Sequence, residues 1–382
     1  MTIFSADKIV TENKVKENHV LMVKDGKITR IISDTDIDNG EEKKDFKDKI
    51  IIPGFIDIHT HGGGGYRPEG GIEALINWSF FKADHGVTGF LPTTPTVSRS
   101  RMDQVGSFVK KAQKRKGGPK NILGWHLEGP FFTDSSKIGA QDSSYTRNSF
   151  TSEYQDLIKK YGDLIKYCSI DPRVQDEQKI ISYCRDLDIK MGAGHTEISH
   201  QEFTEKKELY TAVIHTFNGM KGLHHRNPGL ALTACMDDQL FAEIICDGLH
   251  VIFPMLKLFF RLKNLKKAIL VTDAMVAAGQ PRGKVTTWGK RKVKIDDQGR
   301  ALLEDGTLAG STLTMDRAYQ NTVNKLNLSL VEASWAASLN PAVMLGIEDS
   351  KGSIAVGKDA DFLVVDENLQ IQATYLQGEK IS

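Results

Sequence analysis

Apolar runs of strand length alternate with longer amphipathic segments from about residue 50 to residue 273. The apolar runs lie at residues 50–58, 86–92, 121–128, 165–171, 189–195, 211–217, 241–247 and 267–273. Between them, apolar residues recur at helical spacing, most clearly at 72–84, 98–115, 174–187 and 253–265. This alternation predicts parallel strands joined by right-handed crossovers. Eight repeats favour a closed (β/α)8 barrel of the TIM type over an open sheet.

The two ends of the chain have a different pattern, in which short strand-like pieces are separated by turns. The N-terminal piece HVLMVKDGKITRIIS contains Asp25-Gly26, a hairpin turn pair, and the C-terminal piece contains GSIAVGKDADFLVVD and ATYLQGEKI. The sequence therefore predicts the α/β class, with a barrel and a small β-sandwich domain built from both chain ends. The expected boundaries are 1–52 and 350–382 for the β domain and 53–349 for the catalytic barrel.

One segment interrupts the last barrel repeat. Residues 284–305 have hairpin character, with turn residues at Asp297–Gly299 and at Asp305-Gly306. We expect this insertion to lie near the active face and to form a lid or a wall of the site.

Composition excludes several classes of protein. The 382 residues include 50 Lys plus Arg and 49 Asp plus Glu, so the protein has no large positive net charge that would attract nucleic acid or an anionic membrane. No apolar run reaches 18 residues, and no N-terminal secretion pattern is present. The four cysteines are far apart in the sequence and form no CxxC pair. They favour a reduced, cytoplasmic protein over a disulfide framework or a cysteine metal site.

Imidazoles and carboxylates occur where several of the predicted strands end. They are His59 and His61 in GFIDIHTHG, Glu128 in GWHLEGP, His195 in MGAGHT and His215 in VIHTFNGM. Taken alone, each histidine is more often a hydrogen-bonded core or surface residue, and an isolated HxH pair is weak evidence. The carboxyl ends of barrel strands converge on one face, so the set together predicts a metal site. Imidazole and carboxylate suit Zn, Fe, Mn and Co equally.

Asp273 ends the eighth apolar run, in LVTDAM. A carboxylate beside a metal site can accept a proton from attacking water and return it to the leaving group. The alternative interpretation is the N-cap of the following segment.

Polar groups that can bind a substrate follow the same strands. Asn218 and the Gly219 N–H come after His215, and Arg226 is the best candidate for a bidentate phosphate contact. His250 follows the seventh strand, and Gln141 lies in the long loop after the third. For Gln141 a plain loop role is equally probable on the sequence alone. The glycine-rich residues 62–65 lack the GK[ST] continuation of a P-loop.

The ordered motifs resemble those of the amidohydrolase superfamily, and within it the N-acetylglucosamine-6-phosphate deacetylases. They are PGFIDIHTHG, GWHLEGPFF, GAGHT, HTFNGM, ICDGLHV, VTDAM and LAGSTLTM, followed by GKDADFLVVD, and they extend over nearly the whole chain. Other branches of the superfamily often use a carboxylated lysine after the fourth strand. Here that strand, YCSIDP, has no lysine, and Glu128 takes its place.

The resemblance implies roles for particular residues. It implies Glu128, His195 and His215 as ligands of the principal ion and Asp273 as the general acid and base. It also implies a substrate site made of Asn218, Gly219 and Arg226 at the phosphate, His250 and Gln141 near the sugar and carbonyl, and Leu308 in the sugar pocket. Some family members lack the HxH pair and use one ion. This chain keeps His59 and His61, so one or two divalent ions per subunit are expected.

The resulting functional hypothesis is hydrolysis of N-acetylglucosamine 6-phosphate to glucosamine 6-phosphate and acetate, in amino-sugar catabolism or recycling. The resemblance also implies a homodimer in which Arg226 can act across the interface. The alternatives are the same reaction on N-acetylgalactosamine 6-phosphate, and another amidohydrolase that opens a cyclic amide or deaminates a base. A ligandless scaffold built on a barrel is a further alternative, and it would predict degraded ligand positions.

Overall fold

The computed structural model describes residues 1–37, 43–115, 120–289, 291–306 and 308–382. Residues 38–42 of the expected N-terminal β region and residue 290 of the expected insertion lie outside the described residues, as do 116–119 and 307.

The chain begins with four strands of a mixed sheet. They are β1 (Thr2–Val10), β2 (Val15–Lys24), β3 (Lys27–Ser33) and β4 (Lys43–Pro53). Strand β1 pairs antiparallel with β2 and parallel with β4, and β2 pairs antiparallel with β3. Asp25 and Gly26 both have positive φ (51° and 76°) in the β2–β3 turn, as expected for the Asp-Gly pair of a tight hairpin.

Eight parallel strands then form the barrel, each paired with the next along the chain. They are β5 (Phe55–Thr60), β6 (Val87–Thr94), β7 (Trp125–Glu128), β8 (Ile165–Ile170), β9 (Lys190–Ala193), β10 (Ala212–Val213), β11 (Phe241–Ile245) and β12 (Ala268–Val271). Each of the eight apolar runs overlaps one of these strands. The predicted (β/α)8 barrel is confirmed.

Side chains and backbone together close the barrel between β12 and β5. Asp273 donates its backbone N–H to the carbonyl of His59 at 2.9 Å. Deeper in the barrel, the buried carboxylate of Asp57 accepts hydrogen bonds from the backbone N–H and the hydroxyl of Thr272, at 3.2 and 2.6 Å. The ammonium of Lys82 reaches the same carboxylate at 2.6 Å. The first and last strands, which carry His59 and Asp273, are therefore tied to each other.

Helices cover the outside of the barrel. They are α1 (Ile72–Asp84), α2 (Arg99–Gln113), α3 (Ser152–Lys160), α4 (Glu177–Arg185), α5 (His200–Thr204), α6 (Leu230–Met236), α7 (Phe253–Leu262), α8 (Met315–Asn324), α9 (Leu330–Ser334) and α10 (Asn340–Leu345). A capping box formed by Ser199 and Glu202 starts α5, because each side chain bonds a backbone N–H of the other residue. In the described ranges, no helix has both the length and the apolar character needed to cross a bilayer.

The insertion is a separate antiparallel sheet near the carboxyl end of β12. Its strands are β13 (Val285–Trp288), β14 (Arg291–Ile295) and β15 (Ala301–Leu303). Val293, Ile295 and Leu303 pack with Met275 and Ala309 in a small core of their own. This packing attaches the insertion to the segment that follows Asp273.

The C-terminal strands return to the first sheet. They are β16 (Phe362–Val365), β17 (Ile371–Leu376) and β18 (Glu379–Lys380), and they complete a seven-stranded sheet of order β18-β17-β16-β4-β1-β2-β3. The predicted β domain made from both chain ends is confirmed. The apolar run 50–58 divides between two sheets at Gly54, where a Cβ would lie 2.2 Å from the Thr88 hydroxyl oxygen.

Candidate metal centre and active site

The carboxylate of Glu128 lies at the centre of four imidazoles at the carboxyl end of the barrel. Its Oε1 is 3.0 Å from Nε2 of His195, 3.2 Å from Nε2 of His215 and 3.3 Å from Nε2 of His59. Its Oε2 is 3.3 Å from Nε2 of His61. The structure therefore brings together all five residues that the sequence proposed as ligands.

These side chains form two overlapping groups able to hold a metal ion. One group is His59, His61 and Glu128, and the other is Glu128, His195 and His215. Within each group the candidate ligand atoms lie within 4.8 Å of one another, and all five residues are buried. Because Glu128 belongs to both groups, its two oxygens can serve one ion or two.

Hydrogen bonds at the far sides of the rings fit these histidines to a metal. Nδ1 of His61 lies 3.1 Å from the carbonyl oxygen of Thr93, and Nδ1 of His195 lies 2.7 Å from that of Lys137. A carbonyl only accepts, so each Nδ1 carries a proton and Nε2 is the nitrogen left to bind a metal. Nε2 of His59 is buried and makes no hydrogen bond within the described residues. A cation would satisfy this nitrogen.

The local backbone also holds the ligands in unusual conformations. His195, His215 and Asp273 have φ values of 50°, 29° and 46°. Left-handed backbone costs a residue with a side chain on the order of 1–3 kcal/mol, and such residues concentrate at functional sites. All three follow directly after a barrel strand, so the strained backbone turns these side chains toward the mouth.

Position 219 requires glycine, because a side chain there would collide with a candidate ligand. A Cβ at this position, where φ is 57°, would lie 2.7 Å from Nδ1 of His195 and 2.9 Å from the carbonyl oxygen of Lys137. Any larger residue would displace the hydrogen bond between His195 and Lys137. Gly219 thus fixes the orientation of the His195 ring, whatever it does for the substrate.

The cluster has a strongly negative potential. Burial by itself lowers the pKa of His59, but the carboxylates of Glu243 and Glu128 outweigh burial and raise that pKa well above its usual value. Burial also lowers the pKa of His61, but hydrogen bonds to Asp273 and Glu128 outweigh burial and raise that pKa to about 9. An environment that stabilises a proton on these rings also stabilises a divalent cation between them.

Asp273 lies at the edge of the cluster. Its Oδ1 is 3.2 Å from Nε2 of His61 and 3.8 Å from Nε2 of His59. Burial raises the pKa of Asp273, whereas the bond to His61 and the charge of His59 lower it, and the net pKa lies below the usual value. The side chain is 15% exposed, so part of this carboxylate is accessible to solvent. The helix N-cap interpretation has no support, because α8 begins far downstream at Met315.

The proposed sugar and phosphate residues occupy three different environments. Nδ1 of His250 lies 2.7 Å from the Asp247 carboxylate, which outweighs burial and raises the pKa of His250. Asn218 is half-buried beside His215 and turns its amide toward the backbone carbonyl of that residue, at 3.3 Å. Arg226 lies on an exposed loop, and its guanidinium makes no hydrogen bond in the described part of the chain.

Gln141 and Leu308 are more enclosed than the sequence indicated. The Gln141 amide donates to Oε2 of Glu128, and its oxygen accepts the Thr96 N–H at 2.6 Å. Both ends of the Gln141 side chain therefore hold protein groups, one of them the central carboxylate. Leu308 is half-buried and forms a bridge with Leu302 of β15, at the junction with the insertion.

Comparison with known proteins agrees with this geometry. A family model described as "Amidohydrolase family" matches residues 289–381. The N-acetylglucosamine-6-phosphate deacetylase of Bacillus subtilis (strain 168) is 33% identical over 97% of this chain and 94% of its own length. The chain belongs to the N-acetylglucosamine-6-phosphate deacetylase family.

Two further relatives are similar to this chain over its full length. An N-acetylgalactosamine-6-phosphate deacetylase of Escherichia coli O157:H7 is 31% identical over 100% of this chain and 99% of its own. The crystal structure of the N-acetylglucosamine-6-phosphate deacetylase from Thermotoga maritima is 29% identical and superposes with a TM-score of 0.88, covering 100% of this chain and 99% of that one.

One buried carboxylate of this family member was missed by the sequence analysis. Glu243 on β11 is fully buried, and its Oε2 lies 2.8 Å from Nδ1 of His59 and accepts the backbone N–H of His215 at 3.1 Å. The sequence did contain one indication of this role, because Glu243 is an acidic residue inside the apolar run FAEII. A charged residue in a core strand needs a buried partner, and here the partner is a candidate metal ligand.

A second missed contact joins the deacetylase's insertion to the candidate metal site. The ring of Trp288, at the end of β13, packs edge-on against the ring of His61 with centroids 5.1 Å apart. The insertion thus forms a wall of the site. Nothing in the local sequence around Trp288 indicated this long-range contact.

Proposed function

We propose that this protein hydrolyses the acetamide of N-acetylglucosamine 6-phosphate to glucosamine 6-phosphate and acetate, with a divalent metal ion. The observation that carries the proposal is one buried carboxylate, Glu128, within 3.3 Å of four imidazole nitrogens at the barrel mouth. Asp273 stands beside this cluster, in a chain related end to end to deacetylases of phosphorylated amino sugars.

We propose Glu128, His195 and His215 as ligands of the principal ion, and His59 and His61, with Glu128, as ligands of a second. Their nitrogen and oxygen donors suit Zn, Fe, Mn or Co. When bound, such an ion polarises the acyl carbonyl and lowers the pKa of water from about 15.7 to near 7.

Asp273 is proposed to carry the proton. Its lowered pKa keeps the carboxylate ionised before reaction, as a base must be. It takes one proton from the water that attacks the acyl carbon. The same proton then passes to the sugar nitrogen as the carbon–nitrogen bond breaks, so that the amine leaves neutral. The second proton of the water stays on the acyl product as acetic acid, which releases it to solvent to become acetate.

The substrate is proposed to lie on the side of β10 and β11. Asn218, the Gly219 N–H and Arg226 would hold the phosphate, and Leu308 would line the sugar pocket. The raised pKa of His250 favours the charged ring, a good donor to a sugar hydroxyl or to the acyl oxygen. Gln141 would act near the carbonyl through its contact with Glu128.

We also propose a cytoplasmic homodimer. Four unpaired, buried thiols (Cys168, Cys184, Cys235 and Cys246) support a reducing compartment. The loop with Arg226 is exposed, and Leu223 on the same loop and Ile252 after β11 are exposed apolar residues at this end of the barrel. A partner subunit covering this face would enclose the phosphate site and allow Arg226 to act across the interface.

N-acetylgalactosamine 6-phosphate is the second candidate substrate. The relative of that name matches the whole chain at 31% identity, almost the value for the Bacillus subtilis relative. The two sugars differ only in the orientation of one hydroxyl group, so the same metal chemistry serves both.

Acetate release from the two phosphorylated sugars, with elemental analysis of the purified protein, tests the proposal. We expect at least one equivalent of a divalent metal and a higher kcat/KM for the glucosamine compound. A preference for the galactosamine compound would make N-acetylgalactosamine 6-phosphate the preferred substrate. No acetate from either compound by the metal-loaded protein would refute the proposed reaction.

A further inference from the structure

A cavity of about 690 Å³ opens beside the ligand cluster, on the side of β5, β6 and β7. His61 and Gln141 are among its most deeply buried lining residues. Trp288, which packs on His61, and Val97, which follows the Thr96 that binds Gln141, form apolar parts of its wall. The wall also includes the charged residues Arg67, Glu69, Arg101, Asp142 and Arg291. Pockets of this size commonly hold small organic ligands.

This cavity and the proposed sugar site lie on opposite sides of one carboxylate. Oε1 of Glu128 faces His195 and His215, whereas Oε2 faces His61 and Gln141. The residues proposed to bind the sugar and its phosphate (the sugar candidates) lie on the side of His195 and His215, since Gly219 packs on His195 and Asn218 on His215.

No sugar candidate other than Gln141 contributes to the cavity. Asn218, Gly219, Arg226, His250 and Leu308 all lie outside its lining. The cavity, with Val97 and Trp288, therefore lies on the side of the cluster away from these sugar candidates.

The geometry of an amide indicates which part of the substrate the cavity would hold. The carbonyl carbon has three substituents that point apart in one plane: the oxygen, the nitrogen and the acyl carbon chain. When the oxygen lies at the ligand cluster and the nitrogen leads to the sugar, the acyl chain must point away from the sugar. With the sugar placed beside Asn218 and Gly219, that direction would lead toward Gln141 and His61, which line the cavity.

We propose that the cavity is an acyl pocket, through which the enzyme accepts N-acyl groups longer than acetyl, up to butanoyl. The proposal rests on the proposed function, because it uses the position of the sugar. The reaction is unchanged: water adds to the acyl carbon, the carbon–nitrogen bond breaks, and the products are the amine and the longer carboxylate. The apolar wall formed by Val97, Val276 and Trp288 would contact the added methylene groups.

The test compares N-acetyl- and N-butanoylglucosamine 6-phosphate. We expect kcat/KM for the butanoyl compound within tenfold of that for the acetyl compound. Val97→Trp fills the pocket and should lower kcat/KM at least tenfold for the butanoyl compound and less than twofold for the acetyl compound. Val356→Trp, at an exposed position outside the cavity lining, is the matched control and should change neither value.

Binding gives a second readout that does not depend on turnover. Calorimetry with the Asp273→Asn variant should give similar Kd values for the two compounds, and adding Val97→Trp should weaken only the butanoyl compound. If Val97→Trp does not fold, Ala140→Leu fills the pocket from the neighbouring wall with the same expected selectivity.

The possible failures are distinguishable. An enzyme that releases acetate but has a butanoyl kcat/KM more than tenfold lower refutes the acyl pocket and leaves the proposed function intact. A pocket-filling variant that weakens both compounds equally also refutes it. An enzyme that neither binds nor hydrolyses the acetyl compound refutes the proposed function itself.

Discussion

Nδ1 of His59 donates a hydrogen bond to the Glu243 carboxylate at 2.8 Å, and both side chains are fully buried. The same carboxylate oxygen accepts the backbone N–H of His215 at 3.1 Å. One residue on β11 therefore orients the ring of one candidate ligand and the backbone of another. Outer carboxylates of this kind fix the tautomer of a metal-binding histidine and strengthen its bond to the metal.

Replacing Glu243 by Gln should weaken metal binding at the His59 position. The amide oxygen can still accept the bond from Nδ1, but the negative charge is lost. We expect about a 10- to 100-fold loss of affinity for the ion held with His59, the range found for such outer residues. Competition with a chelator, followed by elemental analysis, measures the loss.

Glu177→Gln is the matched control for that experiment. Glu177 is also a buried carboxylate, with Lys206 and Tyr210 as partners, both 2.6 Å away and away from the ligand cluster. It should lose stability without a change in metal affinity. Equal metal affinity in Glu243→Gln and the unaltered protein would remove Glu243 from the metal site.

Asp273→Asn should abolish most turnover while leaving binding intact. The amide cannot take a proton from water at neutral pH, and general acid–base catalysis contributes about 10²- to 10⁴-fold. We expect a fall of that size in kcat, with metal content and Kd for the substrate within about threefold of the unaltered protein. A near-normal kcat would exclude Asp273 as the proton carrier.

Arg226→Ala should act through the phosphate alone. A charge-assisted hydrogen bond contributes about 1.5–3 kcal/mol, so KM for the phosphorylated sugar should rise by roughly 10- to 100-fold. KM for N-acetylglucosamine without phosphate should not change. Arg261→Ala removes an exposed arginine on α7 and serves as the control. An equal rise in KM for both sugars would argue against a phosphate contact.

Mixing the Arg226→Ala and Asp273→Asn variants, assayed at a substrate concentration well below KM, tests whether Arg226 serves the neighbouring subunit. In a dimer of Arg226→Ala with Asp273→Asn, action across the interface leaves one site with both residues intact. Each mixed dimer should then have about half of the normal kcat/KM. No recovery in proven mixed dimers would place Arg226 in the site of its own subunit.

Lys82→Met should destabilise the barrel. It removes the cation 2.6 Å from the buried Asp57 carboxylate, which joins β5 to β12 through Thr272. Removing one partner of a buried pair costs about 3–5 kcal/mol, because the remaining charge is uncompensated. The free energy of unfolding, measured by denaturant titration, should fall by that amount.

The double variant Asp57→Asn with Lys82→Met provides the control. It removes the uncompensated charge and should recover part of the lost stability. A Lys82→Met variant that loses less than about 1 kcal/mol would mean that the pair does not hold this seam of the barrel.

The sequence predicted those parts of the site that depend on local pattern. Glu128 and His195 end apolar runs and His215 lies near the end of another, and parallel strands bring such positions to one face. For the same reason the alternation alone predicted the barrel. Strand β10 shows the limit of this reasoning, because only Ala212 and Val213 of the run 211–217 form a strand. The positive φ values of His215 and Phe217 turn the rest toward the site.

What the sequence did not predict depends on contacts between distant segments. Glu243 and His59 are 184 residues apart, and the partners of Lys82 and Trp288 are likewise on other elements. Gln141 was predicted near the substrate, and nothing in the sequence indicated its contacts with Glu128 and Thr96. A pattern of apolar and polar residues states which face a residue occupies, but it does not state which group lies opposite.

The central claim is that Glu128, His195 and His215 share one ion at the mouth of the barrel. Anomalous diffraction from crystals of the metal-loaded protein, recorded on both sides of the metal's absorption edge, tests it most directly. We predict a peak within bonding distance of Glu128 Oε1, His195 Nε2 and His215 Nε2. Full metal occupancy with the peak elsewhere, and none among these three atoms, would contradict the claim.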